Sequence, residues 1–449
     1  MKRLINFLIL ILGSSFFNLS FAQVWDSLGG GAGTKAFSGI VGNLCMYNNN
    51  LIVGGAFDTV GNNIPTNSIA QWNGTLWNSI QTGPLGVYSL LEYNGALIAG
   101  AGEYGYSSST IPGHYGEIIG QWNGVFWDTI GSGIIGVNNP RMLSLCNYQG
   151  DLYAGGYFQN GFSNTSYNDI LKWNGTFWDT LPGQYYIGEV DAMAVYNGKL
   201  YLGGKYVDTF HYITAWNNTT FSLPGKGVNG VVYALAVYNG KLYAGGTFDS
   251  AGGAPAKNIA SWDGTTWNAV GSGVNDTVYS LTSYGSSLIA AGLFDSAGGI
   301  RCNKIARWNG TTWLPMGSGI GGKGVWALCS DSTDLYVGGE FNSAGGIHAN
   351  NIAKWTSPLG INNLHNNLNS IKVYPNPSYG TFTFSLSNIN EKCNIQIYNM
   401  LGQKVYEEIR QPADDNLIDL SVQPNGVYMY RAIANSGKII GKGKLVIEK

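Results

Sequence analysis

Charge is scarce in this chain. Only 11% of its 449 residues are Asp, Glu, Lys or Arg, and the formal net charge is −2. So neutral a chain gives no reason to expect nucleic acid or an anionic membrane surface as a partner. Histidine is scarcer still: His114, His211, His348 and His365 are the whole supply. The cysteines Cys45, Cys146, Cys302, Cys329 and Cys393 are odd in number, and no two have metal-ligand spacing. Neither a disulfide framework nor a zinc site is indicated. No helical periodicity appears after the first 22 residues, and no HExxH, GxSxG, CxxC or nucleotide-binding glycine loop stands in a convincing place. The sequence therefore offers no catalytic residue, no cofactor and no metal site, and it leans away from an enzyme.

What is plentiful is glycine, 66 residues, and aromatics, 13% of the chain. Gly, Asn, Ser and Thr separate short apolar runs, which reads as all-β with many tight turns. The N-terminus differs. Lys2 and Arg3 precede an apolar run from Leu4, and Ser20-Phe21-Ala22 places small residues where a signal peptidase reads. Residues 1–22 are expected to be a signal peptide, cleaved between Ala22 and Gln23. No other stretch is long and apolar enough to span a membrane as a helix, so the outer surface is reached by association rather than by a span.

One motif recurs seven times. Its clearest copy runs from Val232 as VYALAVYNGKLYAGGTFDSAGGAPAKNIASWDGTTWNAVGSG. The leucines that open the Gly-Gly strand are Leu51, Leu97, Leu152, Leu200, Leu242, Leu288 and Leu335, with spacings of 42 to 55 residues. A period in the forties built of short strands predicts propeller blades. Each unit carries four strand candidates; in the fifth they are Val232 to Tyr238, Leu242 to Phe248, Asn258 to Trp262 and Thr266 to Gly271. Asn239-Gly240 and Asp263-Gly264 read as two-residue hairpin turns. The paired Trp residues at the last turn read as packing between blades. The seventh unit lacks a fourth strand, and Val24-Trp25-Asp26-Ser27-Leu28-Gly29 resembles the missing piece. It is expected to pair beside Ile352 to Trp355 and close a seven-bladed β-propeller.

The Gly-Gly strand followed by two spaced aromatics resembles the kelch and galactose-oxidase type of propeller across roughly residues 24 to 358. That resemblance implies a fold and is nearly silent on function, because such propellers include enzymes and binding modules.

Connectivity places the long loops together. The turns after strands one and three are short, and those after strands two and four are long, so the long loops share one face. Blades two and three carry the most unusual of them, with Tyr104, Tyr106, His114, Tyr115, Phe162, Tyr167, Tyr185 and Tyr186. Aromatic faces among neutral hydrogen-bonding residues suit a glycan or protein ligand. Asp58, Asp249 and Asp295, each after a Phe, read as turn-forming side chains rather than a calcium site.

After Pro358 the composition shifts. Residues 359–370 read as a linker and 371–449 as a small antiparallel β-sandwich of immunoglobulin-like kind. Three blocks, VYPNPSYGTFTF from Val373, IQIYNMLGQKVYE from Ile395 and QPNGVYMYRAIANSGKIIGKGKLVIEK from Gln423, resemble the C-terminal sorting domain of the type IX secretion system. The motif residues are Tyr374, Pro375, Asn376, Pro377, Gly402, Gly426 and Tyr428. The resemblance implies passage through the periplasm of a Gram-negative bacterium, the type IX machinery as partner, and a product that is secreted or held at the outer surface. The chain is thus expected to be an exported propeller, residues 23–358, that binds a glycan or protein through its long-loop face. The alternatives are a carbohydrate-active enzyme on the same scaffold, which requires a buried carboxylate or His cluster near the axis, and a structural surface-layer or biofilm component.

Overall fold

A computed structural model describes residues 24–449 except 34–38, 62, 82–83, 85, 103–117, 132–133, 135–139, 159–168, 183–187, 206–211, 357–371, 386–391, 400–402, 411–415 and 435–438. The segment expected to be a signal peptide, residues 1–22, and Gln23 lie outside the described residues. The chain divides into two compact units, one spanning Phe21–Pro358 and the other Leu359–Lys449.

The repeat forms seven antiparallel sheets, one per unit; six have four strands, and the seventh adds the short strand Ile347–His348 to its four. In the fifth the strands are Val231–Tyr238, Lys241–Thr247, Ile259–Trp262 and Trp267–Ala269. β-Branched and aromatic residues favour these strands, and Asn239 and Gly240 have φ of 47° and 70°, as the first hairpin requires. The last turn differs from expectation. Only Gly264 of the Asp263-Gly264 pair has a positive φ, 103°. Asp263 instead accepts the N–H of Thr265 and of Thr266 on Oδ1, at 2.9 and 2.8 Å. The side chain mimics a turn carbonyl, which moves the turn one residue onward. The long loop after the second strand carries its own small hairpin, Ser250–Ala251 with Ala254–Pro255.

The seventh sheet takes its fourth strand from the N-terminus. Val24–Ser27 pairs antiparallel with Ile352–Thr356, with Trp25 opposite Trp355. The core lies between sheets. The hydrophobic cluster around Val41, Leu51 and Trp72 in the first unit takes in Ala327, Tyr336 and Ile352 of the seventh. The first strands of the sheets neighbour one another in chain order, and Ile320–Ser330 of the seventh neighbours Ile40–Tyr47 of the first.

Two residue types enforce this packing. A Cβ on Gly245 would lie 2.5 Å from Cγ1 of Val278 in the next sheet, and one on Gly246 would lie 1.8 Å from the carbonyl oxygen of Val231 in its own. The Gly pair therefore admits a side chain of the next sheet on one side and the neighbouring strand's backbone on the other. The second Trp of each pair ties its unit to the one before. Trp77 Nε1 donates to Leu28 O at 2.8 Å, Trp267 to Pro224 O at 2.8 Å, Trp313 to Val270 O at 2.9 Å, and Trp25 to Met316 O at 3.1 Å. Cys45 and Cys329 sit in two different inter-sheet clusters, as small apolar fillers.

The second unit has two sheets. One holds Lys372–Tyr374, Thr381–Ser385 and Asn416–Asp419; the other holds Cys393–Asn399, Lys404–Arg410, Gly426–Ala434 and Ile439–Ile447. Lys372–Tyr374 is a strand the sequence reading omitted, because its three residues run directly into two prolines. Phe382, Phe384 and Ile418 of one sheet share a single buried cluster with Ile395, Ile397, Tyr428 and Leu445 of the other.

Candidate functional site

The eight long-loop residues expected to bind a ligand, Tyr104, Tyr106, His114, Tyr115, Phe162, Tyr167, Tyr185 and Tyr186, lie outside the described residues. What the structure does place is the end of the sheets from which those loops depart, and a cavity stands there.

Every first strand carries a β-bulge near its start. The pairing register skips one residue in each of the seven: Gly42, Tyr88, Leu143, Asp191, Tyr233, Tyr279 and Trp326. A bulged residue has no partner across the ladder, and its side chain is re-aimed. All seven line one cavity of about 330 Å³. Two residues further along each strand come Leu44, Leu90, Leu145, Met193, Leu235, Leu281 and Leu328, which line the same cavity with apolar side chains. First strands run inward from the long-loop end, so the bulged residues form the outer level and the Leu/Met residues the deeper one.

The outer level is aromatic over three consecutive units. The rings of Tyr233 and Tyr279 are 5.0 Å apart and those of Tyr279 and Trp326 4.7 Å apart, tilted by 42° and 68°. Asp191 is the one carboxyl among the seven. Burial, and then Glu189, push it up to about 8, while Lys205 and Arg141 oppose the shift. Glu189 is ion-paired with both cations: Arg141 Nη2 at 3.5 Å and Lys205 Nζ at 3.6 Å. Asp169 lies nearby in the same electrostatic group. Burial pushes it up to about 7 against a hydrogen bond from the Gly188 N–H to its Oδ2, at 3.1 Å. Among the described residues, Asp191 Oδ2 and Trp326 Nε1 are buried with no hydrogen-bond partner. A buried acceptor and a buried donor left open in one cavity cost free energy that a polar ligand would recover.

The sequence reading missed this cavity. The signal was present: the motif is nearly constant around these positions, while the positions themselves read Gly, Tyr, Leu, Asp, Tyr, Tyr and Trp. Strict alternation would not have aimed them together, because the bulge shifts the register. Among the described residues, no group of three or more His, Cys, Asp or Glu side chains is placed to hold a metal ion. Asp58, Asp249 and Asp295 sit in their turns through backbone carbonyls, which accept from Thr66, Ala256 and Cys302 at 2.7 to 2.9 Å. The expectation that their side chains form these turns is corrected: Asp249 Oδ1 accepts from Asn229 Nδ2, and Asp295 Oδ1 pairs with Lys304 Nζ.

In the second unit the motif residues gather where the chain enters and leaves. Asn376 donates to Lys444 O at 2.7 Å and accepts from the Val446 N–H at 2.8 Å, fastening the Tyr374-Pro375-Asn376-Pro377 segment to the last strand. Tyr428 donates its hydroxyl to Pro424 O at 2.8 Å, and Gly426 opens the strand that carries it. Gly402 lies outside the described residues.

Over 78 residues the chain is 35% identical to an ulvan lyase of Nonlabens ulvanivorans, a match that takes in 17% of this chain and 14% of that enzyme. Residues 372–448 match the model of the secretion system C-terminal sorting domain. The tail is therefore an address for the type IX secretion machinery, and the protein is exported through the periplasm to the cell surface or beyond.

Proposed function

We propose that residues 23–358 form a seven-bladed, kelch-like β-propeller, closed by the N-terminal strand, that binds carbohydrate at the mouth of its axial cavity. On this reading residues 1–22 are a signal peptide, 359–370 a linker, and 371–449 an immunoglobulin-like sandwich that delivers the propeller to its destination. The observation that carries the proposal is the outer level of the cavity. Tyr233, Tyr279 and Trp326 line it as a row of touching rings, and among the described residues Asp191 Oδ2 and Trp326 Nε1 have no hydrogen-bond partner. Sugars need both: apolar C–H faces to lie on aromatic rings, and hydroxyls to be hydrogen-bonded in fixed directions. The loops bearing Tyr104, Tyr106, His114, Tyr115, Phe162, Tyr167, Tyr185 and Tyr186 leave the sheets at this same end and would extend the site. The test is a glycan array followed by titration calorimetry on the purified mature protein. Trp326→Ala should weaken the best ligand about tenfold or more. Unchanged affinity in Trp326→Ala and Asp191→Asn together would remove the cavity from consideration and return the site to the loops.

A second reading, a carbohydrate-active enzyme, is favoured by one observation. Asp191, held up to about 8 beside Glu189, is a carboxyl that keeps its proton near neutral pH, as a general acid must. The ulvan lyase match lends this little, since 78 residues is about the length of the sorting domain alone. Turnover of any member of a polysaccharide panel, abolished by Asp191→Asn, would establish it; binding without turnover leaves the first reading standing.

A further inference from the structure

We infer that the cavity receives the end of a glycan chain rather than its middle, and that Gly42 sets this by leaving a notch beside Trp326. The inference rests on the carbohydrate reading above and narrows it.

Six of the seven bulged positions carry a side chain, four of them a large aromatic ring; the first unit carries glycine. The backbone does not demand it. Gly42 is not among the residues with positive φ, and a Cβ there would meet nothing closer than Val87 O at 3.6 Å, an ordinary contact. Gly55 in the same sheet is the opposite case: its Cβ would lie 2.1 Å from Ile40 O. So Gly55 is required by packing and Gly42 is not. What its missing side chain does is open the cavity wall between its ring neighbours Trp326 and Tyr88.

A sugar ring entering at Gly42 is flanked by Trp326 and Tyr88, with Asp191 across the ring of first strands; among the described residues the Trp326 Nε1–H has no hydrogen-bond partner. The next level along every strand is Leu or Met, and the polar side chains lining the wall between the two levels are Asn43, Ser89, Ser144 and Ser280. At about 330 Å³ the cavity is at the small end of the roughly 300–1,000 Å³ range of ligand clefts, too small for a run of sugars. A terminal residue fits that shape; an internal segment would need a groove open at two ends.

The experiment uses the purified mature protein and the glycan that binds best on an array, as a hexasaccharide and as the parent polysaccharide. Calorimetric stoichiometry should stay near one protein per chain end as chains lengthen. Stoichiometry that rises in proportion to chain length would overturn the inference. Gly42→Tyr, copying Tyr88, Tyr233 and Tyr279, should weaken the hexasaccharide about tenfold or more with its thermal transition retained, and Gly42→Ala should change it less than about threefold. Gly42→Leu, copying Leu143, replaces the tyrosine variant should that lose its transition. Wild-type affinity in the filled variant overturns the role of Gly42. If Trp326→Ala also binds normally, the cavity itself is the wrong site; if Trp326→Ala fails while the filled variant binds, only the notch is wrong. Absence of binding to every glycan overturns both readings.

Discussion

Trp25 and Trp355 meet edge to face, their ring centroids 5.0 Å apart, although 330 residues separate them in the chain. The pair reproduces Trp262 with Trp267 of the fifth unit, which are 5.4 Å apart. The seventh sheet is thus completed with the joint that five other units build from two Trp residues of their own and the fourth from Trp216 and Phe221. Trp25 also donates to Met316 O of the sixth unit, so it ties two sheets as well as filling a gap.

Trp25→Ala should therefore destabilise the repeat unit by about 3–5 kcal/mol, the usual cost of emptying a buried aromatic site. It should also expose the end of the chain that the seventh sheet holds. Urea unfolding followed by Trp fluorescence measures the first effect, and limited proteolysis near residue 30 the second. A loss under about 1 kcal/mol would mean that the N-terminal strand contributes little to holding the sheets.

The three glycines of the first sheet, Gly42, Gly54 and Gly55, make a sharper contrast. Gly55→Ala must push against the Ile40 carbonyl, and Gly54→Ala against Val87 Cγ1 at 2.5 Å. Each should cost about 1–3 kcal/mol as overpacking, with Gly55 the worse because a backbone atom cannot step aside. Gly42→Ala should cost under about 1 kcal/mol. Equal melting points for Gly55→Ala and Gly42→Ala would contradict the packing described.

Stability should fall as the pH rises from about 4 to 8. Asp191 and Asp169 are pushed up to about 8 and 7 in the folded state by burial, whereas the unfolded chain ionises them near 4. Between those values the folded state holds more protons than the unfolded one, so unfolding releases protons and is favoured by alkali. The slope is at most about 1.4 kcal/mol per pH unit for each group. Asp191→Asn should flatten the curve and raise the melting temperature at pH 8 relative to pH 5. A wild-type repeat unit whose stability does not decline over this window would show that the two carboxyls are solvated.

Export should depend on the tail and on nothing in the repeat. A chain ending at Pro358 is expected to stop in the periplasm, and residues 359–449 fused to an unrelated periplasmic protein should carry it to the surface or medium. Cell fractionation with surface proteolysis reads both. Surface display of the truncated chain would refute the tail as the address.

Much of this was legible in the residues themselves. The repeat period, the Asn239-Gly240 turn and the stray N-terminal strand are local patterns, and each corresponds to a local hydrogen-bonding need. The tail was legible for the same reason, as three contiguous blocks with fixed spacing. Asp263 was misread because a carboxylate can replace a carbonyl in a turn, and the one-letter pattern for both outcomes is alike. The cavity was out of reach for a different reason. Gly42, Asp191, Tyr279 and Trp326 are scattered over nearly 300 residues of sequence, and a bulge too subtle to show in the pattern turns each of them. Sequence alone determined the repeated strands, the Asn239-Gly240 turn and the destination of the protein, because those rest on neighbours in the chain. Only the tertiary structure decided which side chains share a cavity, which glycine is free of packing duty, and which carboxyl keeps its proton, because those rest on seven strands brought side by side.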